Sequence, residues 1–567
     1  MGERTGRAPV RAGYDACTRH SRPLAAIGCP APLVRGEVED AATVQQLEGS
    51  GGTRELTGAR ANPRWTLVTV AFGVIMVGLD STVVAIANPY IASGLHASLA
   101  DLQWITNSYL LALAVLLIVG GRLGDRYGRK IVFLVGVIGF ASASVGVGAI
   151  GSIEGVILMR ALQGAFGALL MPNTLALLRV AYPEDRLNHA IGIWSSTSAL
   201  AIAGAPILGG FLVEHVSWQS VFYLNVPVAI VTCVIGFTVL SESRESVRER
   251  MDLAGVVILA ASLLAMIVGV VQAQSWGWGS ARVLGLIGAG IALLVVFVLV
   301  ELRTAAPLVP PRLFRNRSVS LGVVTVILSF FALFAVLFFV SLYLQNVQGL
   351  GPIAAATRTL PLTLLFALSS LVAPRLTSRL GPGPTITAGL LFVSFSLFGL
   401  TTLEAGSAYL ELWPSLCGLG IGLGLVVVAS AEAIIGSVPV DDSGLAGGLQ
   451  ATAVQFGGVL GASVLGTIIA NRAASVLPAK LASAGIGGAV ARHLGIDPHR
   501  VSQGLSASSG HGSAHVQAAV AAGSHAAFMS GFHEALALGG AIALAGAVAG
   551  VFIRRGNPDA PPTPVSF

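Results

Sequence analysis

The sequence predicts an all-α membrane protein with fourteen transmembrane helices. Of its 567 residues 54% are hydrophobic and 11% are charged, and the mean hydropathy is +0.80. A soluble domain could not carry this composition without exposing apolar surface. From about residue 64 to 470, apolar stretches of roughly 20 residues follow one another, and each can cross a hydrocarbon core of about 30 Å.

The charges of the connecting segments predict the orientation. With the N-terminus inside, the cytoplasmic segments hold most of the basic residues, whereas the short external ones hold little beyond Arg282 and Arg358. This asymmetry is the positive-inside signature of a multi-pass protein with both termini in the cytoplasm, and an odd number of spans would scramble it. The predicted spans are 65–87, 103–121, 131–150, 155–178, 188–213, 220–240, 253–273, 282–301, 318–342, 353–373, 384–403, 409–435, 446–470 and 534–553.

An internal repeat divides these spans. Two arginine-bearing loops share residue types at the same spacing, Arg122, Leu123, Arg126 and Gly128 in one and Arg375, Leu376, Arg379 and Gly381 in the other. Repeated halves are typical of secondary transporters, although one short loop could agree by chance. We therefore expect a disordered cytosolic tail or over-long start at 1–62, a six-helix half at 63–245, an inserted helix pair at 246–305, a second six-helix half at 306–553 with a long flexible external loop at 471–533, and a cytosolic tail at 554–567.

An acidic residue, Asp80, lies well inside the first span. A lone carboxylate is costly to ionise there, and such residues mark ion or proton pathways by default. We expect Asp80 to take part in proton coupling. The alternative is helix capping or a purely structural hydrogen bond to Ser81 or Thr82.

A basic residue, Arg160, and an amide, Gln163, lie in the fourth span. An always-charged guanidinium stabilises a nearby ionised acid, so a movement that separates the two favours proton uptake. Asp80 is the natural partner, with Gln163 as a hydrogen-bonding neighbour. Alternatively, Arg160 lies at the external interface near Glu154.

The segment Gly121–Lys130 joins the second and third spans and combines glycines with charges. Its glycines allow a tight turn, and Asp125 can cap a helix or pair with Arg126 or Arg129. Such a cluster can latch one conformation of a rocking protein, although the basic residues could also serve topology alone. We expect a gating role for Gly121, Asp125, Arg126, Gly128, Arg129 and Lys130.

The fifth span contains Ala199–Phe211, in which a proline stands among small residues. A proline inside a helix removes a backbone donor and bends the helix, so this segment should kink and pack tightly. Such packing could occur in any polytopic protein. The residues concerned are Gly204, Pro206, Gly209 and Gly210.

Three of these segments resemble motifs of the major facilitator superfamily. Gly121–Lys130 is similar to the signature loop Gly-x-Leu-x-Asp-Arg-x-Gly-Arg-Arg/Lys. Met159–Ala168 resembles the Arg-x-x-Gln-Gly motif of this family. The resemblance implies a role in proton coupling for Arg160 and Gln163. Ala199–Phe211 is similar to the antiporter motif Gly-x-x-x-Gly-Pro-x-x-Gly-Gly, which is associated with exporters.

The segment around Asp80 resembles the fourteen-helix drug:proton antiporter branch of that superfamily, with a departure at Ala85–Asn88. In the antiporter motif, Ala205 stands where a glycine is usual. The likeness is close over 64–240, and over 250–553 it rests mainly on the number of spans and the second arginine-bearing loop. It implies the major facilitator fold and an acid and guanidinium that exchange partners as the two halves rock.

The sequence predicts a transporter and no enzymatic activity. The spans contain no cluster of His, Asp and Glu, no nucleophile elbow, no phosphate loop and no filter-like segment. We expect efflux of small amphipathic drug-like molecules across the bacterial plasma membrane, driven by the proton gradient without a cofactor or metal. Uptake of a small metabolite on the same fold is the alternative. The expected partners are the substrate, protons and membrane lipids but no nucleic acid, and the expected state is a monomer.

Overall fold

The computed structural model describes residues 62–243, 252–304, 307–309, 311–438, 443–486, 497–507 and 513–554. Over these residues the chain forms helices and their connections, without a strand. We number the helices that correspond to predicted spans α1 to α14. Their bounds are Pro63–Leu95, Leu99–Tyr127, Arg129–Ala149, Ile153–Ala181, Glu184–His215, Ser220–Val239 with an interruption at Leu224, Leu253–Trp276, Ala281–Glu301, Arg317–Leu342 with a π-helical extension Tyr343–Val347, Pro352–Leu380, Pro382–Leu400, Tyr409–Ile435, Ser443–Ser483 and Ala514–Val551.

The lengths and apolar faces of these helices suit a membrane. Within the described ranges, thirteen of the helices are long and apolar enough to cross one. The exception is α5, whose apolar part is the shorter segment Leu200–His215. Its other turns carry polar residues, which lowers the mean hydropathy of the helix. The fold is that of a multi-pass membrane protein.

Several predicted boundaries lie outside the described residues. The predicted tails at 1–62 and 554–567 fall almost entirely there. The same holds for the predicted border between the first half and the inserted pair, at 245–246.

The predicted loop Gly121–Lys130 is wrong in its extent. Helix α2 continues to Tyr127 and α3 begins at Arg129, so Gly128 alone turns the chain. Its φ of 115° is readily adopted only by glycine. The second arginine-bearing segment has the same form, because Gly381, with a φ of 93°, is the only residue between α10 and α11.

The repeat extends to the packing of the following helices. Gly164 of α4 lies so close to the backbone of Tyr109 in α2 that a Cβ would overlap its carbonyl oxygen. Gly420 of α12 lies in the same way against the carbonyl oxygen of Leu362 in α10. Small residues allow such close helix contacts in membranes. We call the end of the bundle that carries the two glycine turns the corner end, and the opposite end the far end.

The inserted pair α7 and α8 packs as a hairpin on the outside of the two halves. The hydroxyl of Ser262 in α7 donates to the carbonyl oxygen of Gly290 in α8 at 2.7 Å. Helix α7 contacts α2 and α13, and Thr467 of α13 donates to the carbonyl oxygen of Val270 at 3.1 Å. The two halves contact each other directly through α2 with α13, α5 with α10, and α1 with α9.

The prediction of a flexible loop at 471–533 is wrong for the parts that the structure describes. Helix α13 continues to Ser483, and α14 begins at Ala514. Apolar residues at helical spacing explain the extension, because they form a stripe that is buried against the other helix. This small core consists of Ala473, Leu477, Leu481, Ile486, Val501, Ala507, Val520 and Ala527. The rest of the predicted loop, 487–496 and 508–512, lies outside the described residues.

Candidate functional site

Asp80 and Arg160 form an ion pair inside the first half. Nη1 of Arg160 lies 2.5 Å from Oδ2 of Asp80, and each residue is 1% exposed. Asp80 lies in the middle of α1, and Arg160 lies about two turns after the start of α4. The alternative position of Arg160 beside Glu154 is wrong, because Glu154 is exposed at the start of α4 whereas Arg160 points into the bundle.

Gln163 joins the two charged side chains. Its Oε1 accepts a hydrogen bond from Nη1 of Arg160 at 2.6 Å, and its Nε2 donates to Oδ1 of Asp80 at 2.7 Å. Residues three apart share a helix face, so α4 presents Arg160 and Gln163 to α1 together. The structure therefore brings together all three residues for which the sequence predicts proton coupling.

Two residues of this network have no assigned role in the sequence analysis. Ser144 of α3 accepts from Nε2 of Gln163 at 2.7 Å. Asn225, at the start of the main segment of α6, donates to Ser144 at 3.1 Å and to Oδ1 of Asp80 at 3.4 Å. An asparagine inside an apolar span is a detectable signal, because a polar group in a membrane needs a partner. A serine in a glycine-rich span is too common to indicate a site.

Arg160 also contacts α2. Its Nε donates to the carbonyl oxygen of Ile105 at 3.2 Å, and its Cζ lies 4.2 Å from the centre of the Tyr109 ring. A guanidinium at this distance from an aromatic face is attracted by the ring's quadrupole. The buried Tyr109 hydroxyl itself has no hydrogen-bond partner among the described residues. Arg160 is thus held by an acid, an amide, a carbonyl and a ring.

The next turn of α1 faces the second half of the protein. Ser81 and Thr82 both donate to the carbonyl oxygen of Gly78, at 2.8 and 3.5 Å, so neither is the hydrogen-bond partner of Asp80. Together with Thr106 of α2 and Phe334 and Phe338 of α9, they line an enclosed space of about 10 Å³ between the halves. That volume suits about one water molecule, whereas a drug-sized ligand needs several hundred Å³. This space is therefore too small for a drug-sized molecule.

An ion pair spans the turn between α2 and α3. Asp125 accepts two hydrogen bonds from Arg129, at 3.0 and 2.7 Å. Asp125 does not cap a helix. Glu242, beyond α6, caps α3 instead, because its carboxylate accepts from the backbone N–H groups of Lys130 and Ile131 at 3.2 and 3.3 Å.

The remaining charges of this segment have separate positions. Arg126 is exposed and lies 5.4 Å from the ring of Tyr127. Nζ of Lys130 donates to the carbonyl oxygen of Phe237 at 2.9 Å. Nη2 of Arg122 donates to the carbonyl oxygen of Pro307 at 2.6 Å, in the connection between α8 and α9. The segment therefore contacts α6 and the connection that follows the inserted hairpin.

Gly121 and Gly124 serve helix packing and form no turn, contrary to the sequence-based expectation. Gly121 faces Pro172 of α4. Gly124 leaves room for the side chain of Asn173, which donates to the carbonyl oxygen of Gly120 at 3.1 Å. Both glycines lie within α2 and face α4.

The glycines of the segment Ala199–Phe211 in α5 pack against helices of both halves. A Cβ on Gly209 would collide with Val83 of α1, and one on Gly210 would crowd the backbone at Pro352 and Ile353 of α10. Pro206 is buried within the continuous helix. Around Gly204, by contrast, a Cβ would meet no described atom within 4 Å, so the expectation of tight packing is wrong there.

The chain is similar to known proteins over most of its length. The family model described as Major Facilitator Superfamily matches residues 70–462. The chain is 42% identical to the tetracenomycin C resistance and export protein of Streptomyces glaucescens, over 89% of this chain and 94% of that protein. It is 35% identical to the cephamycin export protein CmcT of Amycolatopsis lactamdurans, over 74% of this chain and 87% of that protein.

Solved structures share the fold at lower identity. An auto-inhibited POT family peptide transporter has a TM-score of 0.57 at 14% identity, covering 88% of this chain and 99% of its own. This likeness shows the fold alone. The family match over most of the spans, with relatives of this identity and coverage, shows that the chain belongs to the major facilitator superfamily.

Proposed function

We propose that the protein exports amphipathic, antibiotic-like molecules in exchange for protons, by alternating access. The observation that carries the proposal is the buried Asp80–Arg160 pair, because an acid with a fixed guanidinium partner inside a membrane bundle can bind and release a proton. The printed functions of the relatives, tetracenomycin C resistance and export and cephamycin export, support the substrate class.

Protonation of Asp80 removes the charge that attracts Arg160. The guanidinium then keeps Gln163, the carbonyl oxygen of Ile105 and the Tyr109 ring. Helix α1 then loses its charged contact with α4 and keeps the hydrogen bond from Gln163 to Asp80. The next turn of α1 faces α9 of the second half. A change at Asp80 can therefore bias how the halves meet, as a bistable interface requires.

The walls between the halves suit amphipathic substrates. Phe334, Leu337 and Phe338 supply apolar and aromatic surface, and Ser81 and Thr106 supply hydroxyl groups. Apolar walls with few polar groups favour loose recognition. Opening of this space on one side at a time would admit and release the substrate.

The proposal includes the setting of the transporter. The protein lies in the bacterial plasma membrane as a monomer with its corner end and both termini in the cytoplasm, in accordance with the positive-inside rule. The proton gradient supplies the free energy, no cofactor takes part, and membrane lipids surround the bundle. The protein has no catalytic role in this proposal.

Inverted membrane vesicles from a host that expresses the chain test the proposal. An imposed pH gradient should drive uptake of an antibiotic such as tetracenomycin C into the vesicles. Asp80→Asn should abolish the gradient-driven part, whereas Glu154→Gln, a change of an exposed acid, should not. Unchanged gradient-driven transport by Asp80→Asn would disprove the coupling role. Absence of any transport by the native chain, over a panel of amphipathic antibiotics, would disprove export.

A further inference from the structure

A second buried acid lies outside the coupling network. Glu301 is the last residue of α8 and is 2% exposed. Asp252 precedes α7 and caps it, because its Oδ1 accepts from the N–H of Gly255 at 2.8 Å. The inserted hairpin therefore brings two carboxyl groups together at the corner end.

Among the described residues, one oxygen of each carboxyl group lacks a hydrogen-bond donor. Oε2 of Glu301 accepts from the N–H of Val309 at 3.2 Å, whereas no described group donates to its Oε1 or to Oδ2 of Asp252. Both unpaired oxygens face Gly255, where a methyl group would collide with each of them. The two carboxyl groups therefore lie side by side at Gly255.

A shared proton resolves this arrangement. Two ionised carboxylates that face the same glycine would repel each other. One proton that is bonded to one oxygen and donated to the other gives both oxygens a hydrogen-bond partner. Among the described residues, Asp252 is the charged group that acts on Glu301. Of the nearby cations, Arg303 is exposed and Arg122 of α2 donates to the carbonyl oxygen of Pro307.

The same carboxyl group fastens the connection between α8 and α9. We call residues 302–316 the linker, of which 302–304, 307–309 and 311–316 are described. Glu301 holds it at Val309, and Arg122 of the gating segment holds it at Pro307. The linker thus ties the inserted hairpin to the gating segment and leads into the second half.

We propose that Asp252 and Glu301 form a second proton-binding site, in which one shared proton keeps the linker fastened to the inserted hairpin. When the proton leaves to solvent, the two carboxylates repel each other, and Glu301 moves away from the Val309 N–H. The site is separate from Asp80, and it does not depend on the proposed export.

Hydrogen exchange of the purified full-length chain tests the site. Exchange of the linker segment around Val309 is followed in detergent micelles from mildly acidic to mildly alkaline pH and corrected for the intrinsic pH dependence of exchange. In the native chain we expect protection to fall by about tenfold as the shared proton leaves. Glu301→Gln keeps an acceptor for Val309 and offers an N–H to Asp252, so its protection should stay high and independent of pH.

Asp252→Asn should behave as Glu301→Gln does, because it also removes the repulsion. Glu432→Gln, a change of an exposed acid at the same end, is the matched control and should keep the native pH dependence. Constant protection of the native linker across the pH range would overturn the proposal, and so would a parallel loss of protection in Glu301→Gln. These measurements need neither substrate nor gradient, so their failure is distinct from a failure of export.

Discussion

Arg160 keeps three partners that do not titrate at physiological pH: the amide of Gln163, the carbonyl oxygen of Ile105 and the ring of Tyr109. Such partners hold a guanidinium in place when a single neighbouring acid changes its charge. At the scale of single residues, the proposed mechanism therefore takes Asp80 as the member of the pair that changes its charge, while these partners hold Arg160 in place.

The ring of Tyr109 should matter for efflux, whereas its hydroxyl group should not. Tyr109→Phe keeps the ring over Arg160 and removes a hydroxyl group that has no partner, so gradient-driven efflux should stay close to native. Tyr109→Leu removes the ring, at a cost of about 1–2 kcal/mol for a buried cation–π contact, and should weaken efflux. Vesicle transport assays on the two variants, with thermal unfolding in detergent as a control of folding, make the comparison. Equal defects in both variants would assign the role to the hydroxyl group.

Neutral variants should separate stability from coupling. Arg160→Gln leaves Asp80 buried without its counter-charge, which destabilises a protein by about 3–5 kcal/mol. Adding Asp80→Asn removes the lone charge and should restore much of the thermal stability, but not gradient-driven transport. Thermal unfolding and vesicle transport are measured on both. Gradient-driven transport by the double variant would show that the pair is only structural.

The residues of this network differ in how well the sequence alone reveals them. Asp80, Arg160 and Gln163 stand out because charged or amide side chains are rare within spans. Tyr109 and Ser144 do not, since such residues are ordinary in membrane helices. Tyr109 lies over Arg160 because α2 approaches α4 closely at Gly164, and Ser144 joins the network through Gln163.

At the scale of helices, a proline in α1 creates a contact between the halves. Pro89 has no N–H, so the carbonyl oxygen of Ala85, four residues earlier, has no donor within its helix. Ser341 of α9 donates to this oxygen at 2.7 Å, and Gln345 donates to the carbonyl oxygen of Ile86 at 3.2 Å. Helix α9 and its π-helical extension thus donate hydrogen bonds to two backbone carbonyl oxygens of α1, towards the far end of the bundle.

A double-mutant cycle tests this contact. Ser341→Ala should destabilise the native chain by about 1 kcal/mol, because it leaves a buried carbonyl oxygen unpaired. In a Pro89→Ala background the new N–H can pair with Ala85, so the same change should have a much smaller effect. Thermal unfolding of the native chain, the two single variants and the double variant gives the coupling free energy between Pro89 and Ser341. Ser329→Ala, which removes a bond within α9 itself, is the control and should be insensitive to Pro89. Additive effects of Pro89→Ala and Ser341→Ala would contradict the assignment.

The helix bounds were predictable where hydropathy alone decides them, but not at α13 and α14. These helices extend beyond any bilayer, since the 41 residues of α13 span about 60 Å. Their outer turns are stabilised by each other and by Val501 and Ala507 of the connection. A hydropathy pattern averaged over a span cannot detect such a contact.

At the scale of the molecule, the halves are closed around their centre. Gln103 of α2 donates to the carbonyl oxygen of Ala462 at 2.8 Å, and Asn107 donates to Ser463 at 2.7 Å, both across the α2–α13 interface. At the end of α5, Glu214 accepts from the N–H of Ile353 at 3.0 Å. Alternating access requires some of these contacts to break.

Thr106 reports on that opening, because it lines the closed space between the halves. In a cysteine-free background, Thr106→Cys should react slowly with a membrane-impermeant thiol reagent and faster when a transported substrate is added. Gly151→Cys, at an exposed connection, should react quickly in both cases. Rates are measured by mass spectrometry. Fast labelling of Thr106→Cys without substrate would mean that the closed conformation is a minor state.

The sequence by itself determined the class of fold, the repeat and the three central residues of the buried polar network, Asp80, Arg160 and Gln163. It could do so because a membrane span must satisfy its backbone within one helix and excludes unpaired charges, so length, hydropathy and rare polar residues carry the information. Only the tertiary structure decided which groups meet: Glu242 with α3, Ser341 with Ala85, and Glu301 with Asp252. These contacts join residues far apart in the chain, and their geometry depends on how whole helices pack.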